Sequence, residues 1–107
     1  MRNVSSFTET VTLNDEQIRE QIEYCGKRGW AQVIEYTMDP GPDNHFWEQW
    51  GLPILDPEDP ELVFFEVNEC REAFPNHHIR INAYESRKGQ ALIRHAILVH
   101  APDVTMK

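Results

Sequence analysis

The chain is short of the residues that most directly announce chemistry. Two cysteines, Cys25 and Cys70, are the whole supply in 107 residues. That is too few for a disulfide framework, and each sits inside an apolar helical pattern that suits a reduced core residue. Glycine is scarce too, five residues scattered at turns and helix ends; no G-x-G-x-x-G and no Walker-type loop can be written with them, so nucleotide binding has no support. Basic residues are outnumbered, ten Lys and Arg against eighteen Asp and Glu, for a formal net charge of -8. Such a balance repels phosphate backbones and anionic lipid, which argues against nucleic acid and membrane surfaces as partners. No run approaches the roughly 18 apolar residues that a membrane helix needs, and the start "MRNVSSFTETVTLNDEQ" lacks an apolar signal core. The expectation is a soluble chain that is untargeted or has had its targeting segment removed.

Catalytic constellations are equally thin. His77 and His78, with His45, His95 and His100, match no zinc spacing, and adjacent histidines on a strand point to opposite faces. Glu9, Glu35, Glu48, Glu66 and Glu69 supply carboxylates, but no spacing sets two of them apart as an acid–base pair. Ser5, Ser6 and Cys25 have no base-and-orienter arrangement. No catalytic residue, cofactor site or metal site is expected.

What the chain does have is a well-punctuated α+β pattern. In "LNDEQIREQIEYCGKRG", Asn14 can cap a helix with Gln17 three residues on, Leu13 and Ile18 are placed as a staple, and Ile18, Ile22 and Cys25 repeat as one stripe; Lys27, Arg28 and Gly29 favour a stop. "WAQVIEYT", residues 30–37, reads as a strand, broken by the loop "MDPGPDN". A second strand is expected over "HFWEQW", ended by Gly51 and Pro53. Asp59 and Pro60 open a second helix with Val63, Val67, Cys70 and Phe74 inward, so that at least one of Phe64 and Phe65 faces outward. "HHIRINAYE" and "ALIRHAILVH" make a hairpin around the turn "SRKGQ". The order predicts a four-stranded antiparallel sheet with both helices on one face, a single domain over 1–107 with an arm at 1–12 and a short tail at 101–107. The other sheet face is then uncovered, with Phe46, Trp47 and Trp50 near it. An acidic α+β module that binds another protein is the reading that physics alone supports.

Specific motifs sharpen that reading. "FWEQWGLPILD" resembles the Y-W-x-M-W-G-L-P-M-F-D signature of the ribulose-bisphosphate carboxylase small subunit, and "NECREAFPNHHIRINAYESRKG" resembles that family's N-A-C-R-x-A-x-P-x-H-Y-I-R-V-N-A-F-D-S segment. The likeness runs from residue 13 to about 100. It implies a non-catalytic subunit of the form I, bacterial type that caps a large-subunit core in a hexadecamer of eight large and eight small chains. In that family magnesium, the carbamylated lysine and the sugar-bisphosphate site belong to the large subunit, and the complex is cytoplasmic or inside a carboxysome. By the same resemblance, Glu9, Glu35, Tyr36, Phe46, Trp47, Trp50, Leu52, Pro53 and Phe65 form the large-subunit interface, with "MDPGPDN" directed to a central channel. The chain departs from the family in its arm, "FTETVTL" in place of F-S-[YF]-L-P-x-L, and stops at "APDVTMK", where red-type proteobacterial relatives continue into a further hairpin. Two other functions fit the same fold: a small-subunit-like scaffold module that condenses assembled enzyme, and a free-standing ligand-binding domain.

Overall fold

The structure is a computed structural model that describes residues 13–44, 46–55, 59–87 and 90–102. Helix α1 (Asp15–Lys27) begins where side chains can replace the missing turn. Asn14 Oδ1 accepts from the Gln17 backbone N–H at 2.8 Å, and Gln17 Oε1 accepts from that of Asn14 at 2.9 Å. Ile18, Ile22 and Cys25 are its buried stripe. Arg28 caps the far end and Gly29 adopts φ 74°, a conformation that L side chains resist, so the chain turns at once into strand β1 (Ala31–Thr37).

The second helix, α2 (Pro60–Ala73), is capped by Asp59, whose carboxylate accepts from the Glu61 N–H at 3.0 Å. Val63, Val67 and Cys70 point inward as expected, and the two adjacent phenylalanines divide: Phe64 is buried while Phe65 is exposed. Phe64 turns toward α1, where the Arg19 guanidinium lies 4.1 Å from its ring centre. Phe74 caps the helix and also turns inward, packing against the core with its ring stacked on Tyr36 at 4.2 Å.

Strands β2 (Glu48–Ile54), β3 (His78–Arg87) and β4 (Gln90–His100) complete an antiparallel sheet in the order β2-β1-β3-β4. Alternation along β1 and β3 separates two faces. Ile34, Ile79, Ile81 and Ala83, with Ile97 and Val99 of β4, join the buried residues of both helices in one core. This is the expected α+β sheet with two helices on one side.

Three boundaries differ from the sequence expectation, the first being the start of the second strand, which begins at Glu48 and leaves Phe46 and Trp47 ahead of it. The second strand does not stop at Gly51 and Pro53 but passes through both. Its register jumps there, with Trp50 opposite Ile34 and Ile54 opposite Gln32, so three residues of β2 face one of β1. Gly51 takes φ 67° inside this bulge, and Pro53, which has no N–H, is tolerated because β2 is an edge strand whose ladder is already interrupted. In the hairpin, Arg87 pairs with Gln90, so most of "SRKGQ" belongs to the strands. The arm at 1–12, with Glu9, lies outside the described residues, as does most of the tail.

Candidate functional site: the open face of the sheet

Trp47 and Trp50 are three positions apart at the start of an extended segment, so they leave the sheet on opposite sides. Trp50 goes to the helix side. Its Nε1–H donates to Glu66 Oε1 of α2 at 3.1 Å, and its ring meets Tyr36 and Phe74 edge-on at 6.5 and 6.1 Å. Tyr36, stacked on Phe74 and touched edge-on by His77 at 5.5 Å, belongs to the same aromatic cluster. Both residues therefore pack inside this chain.

Trp47 goes to the other side, and what it meets there is polar. The Arg80 guanidinium sits 3.9 Å from the Trp47 ring centre. Arg80 also forks onto Glu35 across the β1–β3 pair, with Nε 2.8 Å and Nη2 2.7 Å from Glu35 Oε1, and Asn82 Nδ2 donates to the same oxygen at 2.9 Å. Only 12% of the Arg80 side chain and 15% of that of Glu35 is exposed, so the pair is held mostly out of water and is correspondingly strong and orientation-dependent. Beside this network a groove of about 640 Å³ opens toward the start of β1, lined by Trp30, Val33, Gln49, Pro53 and Tyr84 among others. Among the described residues no helix lies over this face.

The expected interface residues thus separate into groups. Glu35 and Trp47 share the open face, Phe46 is exposed just ahead of β2, and Pro53 lines the groove edge. Leu52 and Phe65 are exposed on the helix side of the molecule, near the β2 bulge and on the outer surface of α2. The sequence places Arg80 and Asn82 only within the hairpin strand "HHIRINAYE". The signal that could have found them is a Glu on one strand and an Arg on its partner, and it becomes visible only once the register places Glu35 opposite Arg80.

Burial shifts several titratable groups of the chain toward their neutral forms. Burial pushes the Cys25 and Cys70 thiols up to about 11, which leaves them protonated and unreactive. Burial likewise lowers His78 and His95, with the charges of His100 and His77 adding to the effect on His78. Among the described residues no three His, Cys, Asp or Glu side chains are grouped to hold a metal ion, and no helix is long and apolar enough to cross a membrane. A fixed ion pair flanked by tryptophan and an apolar groove is suited to recognising another surface.

Comparison with known proteins places this surface in context. The family profile described as "Ribulose bisphosphate carboxylase, small chain" matches residues 3–102. The chain belongs to that family. It is 50% identical over 90 residues to the ribulose bisphosphate carboxylase small subunit of Cyanidioschyzon merolae, covering 84% of this chain and 65% of that one. It is 47% identical over 92 residues to the small subunit of Cereibacter sphaeroides, covering 86% and 71%. A solved structure titled "Rubisco from Galdieria partita" superposes with a TM-score of 0.80 at 40% identity, over 95% of this chain and 75% of that one. The relatives include both bacteria and red algae, so the family is established while a specifically bacterial type is not. The chain spans about two thirds of the length of these relatives.

Proposed function

We propose that this chain is a non-catalytic small subunit of ribulose-1,5-bisphosphate carboxylase/oxygenase that packs against the large subunit through the open face of its sheet. The observation that carries the reading is the Glu35–Arg80–Asn82 network with Trp47, a rigid recognition surface left uncovered by the chain's own helices. Membership of the small-chain family supports it. Phe46, exposed ahead of β2, and Pro53, at the groove edge, extend the contact. Tyr36 and Trp50 act from behind, holding β1 and β2 in place through the aromatic cluster. Chemistry and magnesium belong to the large subunit in this reading. The complex contains eight large and eight small chains and works in the cytoplasm or a carboxysome.

The test is co-expression with the large subunit of the same organism, followed by affinity purification and a mass measurement. A stable complex of the two chains is expected. Failure of the wild-type pair to co-purify, or ribulose-bisphosphate turnover by this chain alone, overturns the reading.

A further inference from the structure

The most exposed large apolar side chains are not confined to the open face. Leu52 is 83% exposed, Leu62 59% and Phe65 58%. Leu62 and Phe65 stand one turn apart on α2, and Leu52 lies in the β2 bulge that faces that helix. Between bulge and helix runs a cleft of about 300 Å³, walled by Trp50, Leu52, Pro53 and Ile54, with Glu66 as its only charged lining group among the described residues. That volume is at the lower end of the range for small-molecule pockets and has room for one or two large side chains.

The charge around the cleft has one sign. Helical spacing puts Glu66, Glu69 and Glu72 in the rows that also carry Leu62 and Phe65, and Glu48 precedes Trp50 by two residues on β2. The sole basic residue of α2, Arg71, is turned the other way, toward Asp15 at 3.2 Å and the Val99 carbonyl at 2.9 Å. β2 contains no Lys or Arg. A partner that fills the cleft must therefore bring an apolar side chain with cations beside it. Pro53 and the bulge interrupt the β2 edge, so strand addition is not the mode; side chains dropped into the cleft are.

We propose that the cleft between α2 and the β2 bulge docks a basic, apolar segment of a second protein, one that approaches the assembled complex from the helix side. The inference rests on the large subunit occupying the open face. Trp50, Leu52 and Ile54 supply the apolar walls, Leu62 and Phe65 extend that apolar surface along α2, and Glu66, Glu69 and Glu72 select the cationic flanks.

The test uses the purified complex with the large subunit, whose recovery is itself the check on the preceding reading. Two labelled synthetic peptides of equal charge serve as probes, one of three Lys-Leu-Leu-Lys repeats and one of three Lys-Ser-Ser-Lys repeats, read by fluorescence anisotropy. The leucine peptide is expected to bind at least about tenfold more tightly than the serine peptide. A complex carrying Leu62→Ser and Phe65→Ser should lose that advantage, whereas Glu69→Gln with Glu72→Gln should weaken both peptides and flatten the salt dependence. Removing the same charge from α1 with Glu16→Gln and Glu20→Gln should change little. Equal affinity for the two peptides, or an unchanged advantage in the serine variant, overturns the proposal. So does a complex that assembles normally yet binds neither peptide while the free small chain binds the leucine one, because the large subunit then covers the cleft.

Discussion

The two faces of the sheet are built from alternate residues of the same strands, yet they are held together by different physics. On the helix side, Ile34, Ile79 and Ile81 meet Ile18, Ile22, Val63 and Val67 in a dry apolar core. On the open side, one residue along each strand, Glu35, Arg80 and Asn82 make a hydrogen-bonded ion pair capped by Trp47. The first arrangement stabilises the fold without regard to direction. The second contributes little net stability once desolvation is counted, but it fixes the positions of a carboxylate, a guanidinium and an indole on an otherwise uncovered surface. One face makes the domain and the other presents it.

The largest effect expected is on the core face. Ile81 is fully buried in the middle of β3, so Ile81→Ala removes its transfer energy and leaves a cavity, and should destabilise the chain by about 4 kcal/mol in urea unfolding. A loss below about 1 kcal/mol would mean that this face is not the principal core.

Its neighbour gives the contrasting case. Arg80→Ala strands the nearly buried Glu35 carboxylate, and a loss of about 3 kcal/mol is expected. The double replacement Glu35→Leu with Arg80→Met should recover most of that stability, because no unpaired charge remains. Recovery of stability should come without recovery of function: the double variant is expected to fold and yet fail to co-purify with the large subunit. If it assembles like wild type, the open face is not the recognition surface.

The same division explains what could be read from the chain before any coordinates. Periodicity and caps located both helices, the Asn14–Gln17 box and the inward stripe of Val63, Val67 and Cys70, because each of those signals is local. Helical spacing required at least one of Phe64 and Phe65 to face outward, but which of them did was settled by the packing of Phe64 against α1. The path of β2 did not, since a strand through Gly51 and Pro53 is allowed only by its edge position and by a bulge whose partner lies in β1. The Glu35–Arg80 pair was hidden for the same reason, being set by a register 45 residues apart in sequence. The family motifs marked the tryptophans as a unit, whereas the structure sends them to opposite faces.

The smallest effect concerns one histidine from each face. His95 lies opposite Ala83 on the helix side, with its Nε2 2.7 Å from Gln21 Oε1 and its ring 5.6 Å from that of Tyr24. His78 lies opposite Thr37 on the other side, near His77 and His100. Burial lowers both below the ordinary histidine value, so the folded chain binds fewer protons than the unfolded one in mildly acid solution. Stability from this source is full above the unfolded value of about 6.5 and is lost as pH falls from there toward the folded value. The causes differ, and salt separates them. For His78 the neighbouring histidines contribute like-charge repulsion, which salt screens; for His95 burial is the only cause, which salt barely touches. Urea midpoints measured between neutral pH and pH 5 should therefore fall with acidification in both His78→Asn and His95→Gln, but less steeply than in wild type. Added salt should flatten the remaining slope in His95→Gln, which keeps His78, more than in His78→Asn. Equal salt responses in the two variants would show that His78 does not interact through charge with His77 and His100.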